Sequence, residues 1–217
     1  MFALKKNNDN EIVADGWENY GLSKSLTHAL EINGYYSAFN YFKQNWKKIK
    51  AEKDLFVSYL PEEAESKTIF LIISSLNFIK SDIFNVQCLI LFSNDTKAIE
   101  FYETFYNFFK NMKNLKAALI LEQDNIVDDR SYLTNENPEL IIGSVKRIDY
   151  VIKKHFLNVF LIKNLILDLT VEKEGFFGKE SYEDILSLMP ESSKKIMFYE
   201  ENEFFKKKFL KDFEQIL

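Results

Sequence analysis

Two short runs of apolar residues, at 140–142 and 165–167, flank a segment whose apolar positions recur with a helical period. The residues on that helical face are Val145, Ile148, Val151 and Ile152. Continuous apolar runs are typical of parallel strands that are buried on both faces, so this part of the chain predicts a strand, a helix and a second strand. Ligands bind at the carboxyl ends of such strands in open α/β sheets. We therefore expect the informative side chains at 143–147 and 168–172.

The same alternation extends along most of the chain. Apolar runs predict further strands at 55–60, 86–92, 115–121 and 196–198. Helix-period segments lie at 22–32, 36–51, 68–78, 96–112, 126–133, 182–188 and 203–216. Strands that alternate with helices predict an α/β fold, with a doubly wound, mostly parallel sheet that is covered by helices on both faces.

Composition narrows the class of protein. The chain has 217 residues, 47% of them hydrophobic, with only 6 glycines and 3 prolines, which predicts one domain with a substantial core. Its net charge of −5 argues against binding to nucleic acid or membranes through bulk charge, although a local basic strip stays open. Cys88 is the single cysteine, so we expect no disulfide framework and a reducing compartment.

Targeting segments are not evident in the sequence. No apolar stretch reaches membrane-spanning length, and residues 1–10 lack the hydrophobic core of a signal peptide. We expect an intracellular protein of the nucleus or cytoplasm without membrane contact. We also expect a flexible N-terminus at 1–12 and one folded domain at 13–217.

Several segments resemble, in order and spacing, the first RecA-like domain of the DEAD-box RNA helicases. They are GWENYGL at 16–22 with Leu26 and Gly34-Tyr35, the strand and turn at 138–147, Ile166-Leu167-Asp168, and the approach to a last strand at 189–198. The branch of the mRNA splicing and export helicase is the most similar, followed by that of the translation-initiation helicase. The resemblance implies a RecA-like domain, two of which close around ATP and RNA in the family's active enzymes.

The phosphate-binding loop of the family matches residues 59–68, where the resemblance assigns Lys67 and Thr68 to the terminal phosphates and magnesium. Such a loop needs glycines so that backbone N–H groups can curl around phosphate. Here the glycines are gone and three glutamates are present. One carboxylate about 5 Å from a phosphate charge costs roughly 3 kcal/mol at an effective dielectric near 20. Tight ATP binding in the family's manner is not expected, and Lys67-Thr68 could simply open a solvated helix.

Other ATP-site positions are also altered. The DEAD position reads Asp168-Leu169-Thr170-Val171, so the metal-side Asp168 is kept while a leucine replaces the glutamate that positions the attacking water. An aspartate here could also be a helix cap or a turn residue. The adenine-reading glutamine matches Phe42, although the nearby Gln44 would match it in a shifted register, and the SAT position reads Tyr199-Glu200-Glu201. Trp17 is the upstream aromatic, which could stack on a base or serve as a buried anchor.

RNA contacts of the family are mostly lost as well. Asp95 stands where an arginine would bind the RNA backbone, and the family's Gly-Gly pair matches Glu122-Gln123. Part of the GTPGR motif persists as Gly143-Ser144 and Lys146-Arg147, which could still bind a phosphate at the start of a helix. Alternatively, Lys146 and Arg147 are solvated residues on a helix face.

Two aromatic groups are candidates for a partner surface. The helix at 96–112 carries a second apolar stripe of Tyr102, Tyr106 and Phe109 besides its core stripe, although a wide buried face would explain it equally well. Phe176 and Phe177 lie between two glycines, in a loop that would seldom bury both rings. His28 and His155 lack partners at metal-ligand spacing, so a metal site is not expected apart from the remnant Asp168.

The leading hypothesis is a non-catalytic DEAD-box-like domain that binds a protein partner, as a module or scaffold in an RNA-protein assembly. It requires no cofactor. A second hypothesis is the ATP-binding half of an active RNA helicase, in which case ATP and magnesium are the cofactors. A third is ATP-independent binding of single-stranded RNA through Lys146, Arg147 and exposed aromatics.

Overall fold

A six-stranded sheet forms the centre of the protein in the computed structural model, which describes residues 16–51, 54–80, 82–112, 115–169 and 178–201. The strands are β1 (Leu55–Tyr59), β2 (Cys88–Phe92), β3 (Ala117–Ile120), β4 (Leu140–Ser144), β5 (Asn164–Leu169) and β6 (Lys194–Glu200). Their order across the sheet is β1-β6-β5-β2-β4-β3, and every pairing among them is parallel. The predicted parallel α/β architecture is confirmed.

The described part of the chain has seven α-helices, of which two precede β1 and five connect successive strands. They are α1 (Lys24–Ile32), α2 (Asn40–Ala51), α3 (Ala64–Asn77), α4 (Asp95–Phe109), α5 (Ile126–Glu136), α6 (Val145–Lys153) and α7 (Lys179–Leu188). Local sequence sets several ends. The side chains of Ser23, Asn94 and Asn125 accept backbone N–H groups at the starts of α1, α4 and α5. Gly34 ends α1 with a φ of +88°, as its position after the last apolar residue predicts.

Helices cover both faces of the sheet because successive strand residues point to opposite sides. In β2, Cys88, Ile90 and Phe92 pack with the helices α1 to α4, whereas Leu89 and Leu91 pack with α6 and α7. All five side chains are at most 2% exposed. The continuous apolar runs in the sequence are therefore the signature of strands that are buried on two sides.

Some boundaries differ from the predicted ones. Helix α2 begins four residues after the predicted 36. Helix α3 begins four residues before the predicted 68, because the 3-10 turn Pro61–Glu63 leads directly into it. Gly143 and Ser144 belong to β4 rather than to a loop after it, and α6 starts at the next residue. The predicted helix at 203–216 and the N-terminus at 1–12 lie outside the described residues. None of the helices that the structure describes is long and apolar enough to cross a membrane.

Candidate functional site

Polar side chains meet at the carboxyl ends of the three neighbouring strands β2, β4 and β5. The register places Phe92 of β2 beside Ser144 of β4 and beside Asp168 of β5, and Ser93 follows directly. Ser93, Ser144 and Asp168 are at most 3% exposed. The sheet thus brings together at one edge the residues that the sequence placed at strand ends, as expected for an open parallel sheet.

Lys67 and Asp168 form a buried ion pair in this region. The Lys67 Nζ atom lies 2.6 Å from Asp168 Oδ2, and the two side chains are 10% and 5% exposed. Lys67 Nζ also lies 4.7 Å from the centre of the Tyr59 ring. The alternatives of a solvated lysine and of an aspartate in a cap or turn are therefore wrong, since Lys67 is buried and Asp168 lies inside β5.

The turn between β1 and α3 is the segment to which the resemblance assigns the phosphate-binding loop. The Leu60 N–H group donates to Glu63 Oε2 at 2.9 Å, and the Glu63 N–H group donates to the Leu60 carbonyl at 2.8 Å. Thr68 points back into its own helix, where its hydroxyl donates to the Ala64 carbonyl at 2.9 Å. A carboxylate of the chain therefore takes a backbone amide at the place where a phosphate-binding loop would present amides to phosphate.

Burial and the glutamates of this turn and of the first turn of α3 raise the pKa of two tyrosines. The Tyr35 hydroxyl donates to Glu65 Oε1 at 3.2 Å, and burial followed by the Glu65 charge raises the pKa of Tyr35 to about 12. The Tyr41 hydroxyl donates to the Ser58 carbonyl at 3.3 Å, and its pKa is raised by burial and then by the charge of Glu63. Negative charge here disfavours further anions such as a bound triphosphate.

Trp17 and Phe42 lie in the core rather than at a ligand surface. Trp17 is 1% exposed, its ring N–H donates to the Tyr35 carbonyl at 2.7 Å, and its ring meets that of Phe42 edge-on at 5.1 Å. Phe42 is fully buried. Of the two uses that the sequence left open for Trp17, the structure therefore shows the buried anchor.

Carboxylates also accept hydrogen bonds from the donor groups that the resemblance assigns to RNA binding. The two oxygens of Asp95 accept the N–H groups of Glu122 and Gln123 at 3.0 and 3.2 Å. Arg147 donates through Nε to Asp129 Oδ2 at 2.8 Å and through Nη2 to the Asp124 carbonyl at 2.6 Å.

The Arg147 side chain is 11% exposed, so the alternative of a solvated residue is wrong for it. Burial raises the pKa of the Asp129 carboxyl, while the hydrogen bond and charge of Arg147 lower it. Lys146 is exposed and lines, with Arg147 and Glu122, an open cleft of about 500 Å³.

Gly143 and Ser144 have structural reasons to be small. A Cβ atom on Gly143 would lie 2.5 Å from the Ile120 carbonyl oxygen of β3, so only glycine lets the two strands approach this closely. The Ser144 hydroxyl is buried and has no hydrogen-bond partner among the described residues. Neither residue presents a group to solvent, because both are buried.

The aromatic candidates separate into different environments. Tyr102 and Phe109 are partly buried against the core, and Phe109 stacks on Phe105 with ring centres 5.6 Å apart. Tyr106 is 49% exposed. A wide buried face therefore accounts for part of the second stripe. Phe176 and Phe177 lie outside the described residues.

Sequence reasoning missed the carboxylate that caps the turn and the one that binds Arg147. A signal for the first was present, since Pro61 followed by Glu63 is typical of a helical start in which the acid accepts a backbone N–H. The pair of Asp129 and Arg147 had no local signal, because the two residues belong to different helices. Across the part of the chain that the structure describes, no three His, Cys, Asp or Glu side chains converge as metal ligands do.

Comparisons with known structures identify this architecture. A DEAD box protein from the hyperthermophile Methanococcus jannaschii superposes with a TM-score of 0.74 at 20% identity, over 88% of this chain and 53% of that one. The fold is the RecA-like fold of the DEAD-box proteins. S. cerevisiae Dbp5 bound to RNA and ADP BeF3 matches this DEAD-box fold with a TM-score of 0.76 at 13% identity, over 92% of this chain and 50% of Dbp5. A point variant of Dbp5 bound to IP6, ADP, Nup159 and a point variant of Gle1 matches with a TM-score of 0.68 at 13% identity, over 82% of this chain and 46% of that one.

Sequence comparison finds similarity to an RNA helicase. The chain is 23% identical over 178 residues to the ATP-dependent RNA helicase CshA of Limosilactobacillus reuteri, which is 82% of this chain and 35% of that protein. No protein-family model matches the chain. The sequence match supports homology to the RNA helicases, whereas these structural matches show the DEAD-box fold alone. The chain spans about a third of CshA and about half of the matched structures.

Proposed function

We propose that this chain is a non-catalytic DEAD-box-like domain that binds a protein partner in RNA metabolism and does not hydrolyse ATP. One observation carries the proposal. At three places where the family would bind phosphate, a carboxylate of the chain itself accepts the hydrogen bond. Glu63 accepts from the Leu60 N–H group, Asp95 from the Glu122 N–H group in the loop after β3, and Asp129 from the Arg147 side chain.

The nucleotide side of the site argues against ATP hydrolysis. A triphosphate would have to displace the Glu63 carboxylate and separate Lys67 from Asp168, whose charges are 2.6 Å apart in a buried position. Removal of one member of such a pair would leave a buried charge unpaired, so phosphate and magnesium would have to bind to Lys67 and Asp168 together. Leu169 follows Asp168 directly and cannot position a water for attack on phosphate.

The RNA side argues against tight binding to a nucleic-acid backbone. Asp95 brings negative charge to the N–H groups of Glu122 and Gln123, where the resemblance expects phosphate. Asp129 neutralises Arg147, the one arginine of the GTPGR-like segment. Phosphate would meet repulsion instead of a free donor at both positions.

The leading alternative is an ATP-binding half of a helicase, with ATP and magnesium as cofactors. The juxtaposition of Lys67 and Asp168 favours it, because a phosphate-binding lysine and a metal-side aspartate belong in one site. ATP-independent RNA binding through Lys146 and Arg147 is the other alternative, favoured by the open cleft that they line. An intracellular site of action, in nucleus or cytoplasm, belongs to each of these proposals.

Two binding measurements distinguish the proposed function from the two alternatives. Isothermal titration with ATP and magnesium should give no binding at micromolar concentration, and a clear micromolar affinity that Lys67→Ala abolishes would refute the proposal in favour of the helicase half. Fluorescence anisotropy with a labelled ten-nucleotide poly(U) RNA should show weak or no binding by the natural chain.

The carboxylates themselves supply a matched test. The double variant Asp95→Asn, Asp129→Asn removes both charges but keeps the side-chain shape, so RNA affinity should rise, and the gain should weaken as salt increases. Glu103→Gln, an exposed acid on α4, is the control and should leave RNA affinity unchanged. Tight RNA binding by the natural chain, or no gain in the double variant, would contradict the role assigned to these carboxylates.

A further inference from the structure

The strand β3 forms one edge of the sheet, with β4 on its inner side. The Lys116 carbonyl accepts the Leu140 N–H group, and Ala117 pairs with Leu140 in the register. The backbone N–H and C=O groups of successive residues point alternately to the two sides of a strand. Because those of Lys116 point toward β4, those of Ala117 and Leu119 point away from it, to the outer edge. The Tyr132 hydroxyl confirms this direction, because it reaches the Ala117 carbonyl from outside at 3.5 Å. Among the described residues no strand pairs with this outer edge.

Two tyrosines flank a groove that runs along this edge. Tyr102 of α4 and Tyr132 of α5 line a space of about 430 Å³ together with all four residues of β3. Burial, followed by the charge of Tyr132 and then of Tyr106, raises the pKa of Tyr102. The volume falls in the usual range of ligand clefts, about 300–1,000 Å³.

The groove is acidic at the carboxyl end of β3. Asp124 and Asp128 are exposed there and line it, whereas Asp129 is paired with Arg147 and adds little net charge. At the other end, Lys116 and Glu136 lie 2.9 Å apart and offset one another. The occupant that complements this surface carries positive charge beside Asp124 and Asp128.

We propose that β3 accepts an extended peptide segment from a protein partner as an added strand, with Lys or Arg on the segment at the end beside Asp124 and Asp128. The segment's backbone bonds the outward groups of Ala117 and Leu119, and the rings of Tyr102 and Tyr132 flank it. Strand addition to an open edge is a common mode of peptide recognition. This inference rests on the proposed binding function and names the surface and the chemistry of its partner.

Tyr132 competes with the segment at one point. Its hydroxyl covers the Ala117 carbonyl at 3.5 Å, the long limit for a hydrogen bond, so the contact is weak. An incoming N–H donor would replace it with a shorter bond while the ring stays beside the edge. Removal of the hydroxyl alone should therefore strengthen binding, whereas removal of the ring should weaken it.

The probe is a fluorescein-labelled peptide of alternating threonine and valine with a Lys-Arg end, together with the peptide of reversed order, because either strand direction could pair. Two further peptides are N-methylated at every second amide, one at the odd positions and the other at the even positions, so that each lacks the N–H groups on one side of the strand. Anisotropy should show binding by the unmodified peptide, and only one N-methyl set should abolish it. A glutamate pair in place of Lys-Arg should also weaken binding, and more so at low salt.

Protein variants test the same contact from the other side. Leu119→Pro removes an outward N–H that β4 does not use, so the domain should fold while peptide affinity falls by about tenfold or more, as expected when paired backbone bonds are lost. Leu119→Thr keeps the N–H and is the matched control. Circular dichroism and urea unfolding verify the fold of both. Tyr132→Phe should raise affinity and Asp124→Asn, Asp128→Asn should lower it.

Several outcomes would overturn the inference. They are no peptide binding at millimolar concentration, equal effects of the two N-methyl sets, or unchanged affinity in a folded Leu119→Pro variant. A dimer that excludes the peptide and is lost in Leu119→Pro would assign the edge to a second copy of the chain instead. These results concern only the edge of β3, whereas a failure of the proposed function would be seen in the ATP and RNA titrations.

Discussion

The buried pair of Lys67 and Asp168 makes a sharp prediction about stability. Lys67→Met keeps the length of the side chain but removes its charge, which leaves Asp168 Oδ2 without the lysine that now lies 2.6 Å away. The second oxygen, Oδ1, is buried and already lacks a hydrogen-bond partner among the described residues. The variant would therefore leave a carboxylate that is 5% exposed without a counter-charge.

The size of the effect follows from that burial. Loss of one partner of a buried pair costs about 3–5 kcal/mol, and we expect about 3 kcal/mol because Lys67 retains 10% exposure. For a chain of this size the melting temperature should fall by roughly 6–12 °C. Lys116→Met is the matched control, because the pair of Lys116 with Glu136 is about half exposed and screened by solvent, so its loss should change stability far less than the loss of the buried pair.

Urea unfolding, followed by the fluorescence of the buried Trp17 and Trp46, measures these differences. The double variant Lys67→Met, Asp168→Leu replaces the pair by apolar groups and should return to within about 1 kcal/mol of the natural chain, since such replacements are often neutral or stabilising. A loss below about 1 kcal/mol in Lys67→Met would refute the reasoning from burial. So would a double variant whose loss of stability equals the sum of the losses in Lys67→Met and Asp168→Leu measured separately.

Three further predictions concern other parts of the fold. Gly143→Ala should lower stability by about 1–3 kcal/mol in urea unfolding, because its Cβ must push against the Ile120 carbonyl; an unchanged midpoint would contradict this close approach. Tyr35 has a folded pKa of about 12 against an ordinary value of 10, so stability should fall as pH rises from 10 to 12, and Tyr35→Phe should flatten that decline in pH-dependent unfolding. The thiol of Cys88 is fully buried, which raises its pKa, so Ellman's reagent should label it only at the rate of unfolding, and fast labelling without urea would show that the strand opens locally.

The fold was open to prediction because its signals are local. The runs around Leu89, Ile141 and Ile166 lie in three neighbouring strands, and the helical period around Ile148 forms α6 between two of them. Turn and cap residues gave the ends to within a few residues. The largest differences were the start of α2, four residues later than predicted, and the start of α3, four residues earlier, where the 3-10 turn leads directly into the helix.

The candidate site was only partly predictable. The sequence selected Lys67, Asp168 and Arg147 through their places in a family pattern, and it already showed that acids replace glycines near them. It could not show which acid meets which donor. Asp129 reaches Arg147 across 18 positions and Lys67 reaches Asp168 across 101, distances at which no local pattern exists.

The sequence alone determined the alternation of strands and helices, the parallel sheet and the edge at which polar side chains gather, because each depends on short-range periodicity. The tertiary structure decided that carboxylates of the chain bind donors that the resemblance assigns to phosphate, and that the outer edge of β3 is bordered by tyrosines and acids. Those contacts arise from packing between elements far apart in sequence. Their physical consequence is a site whose positive and amide groups are bound within the chain itself.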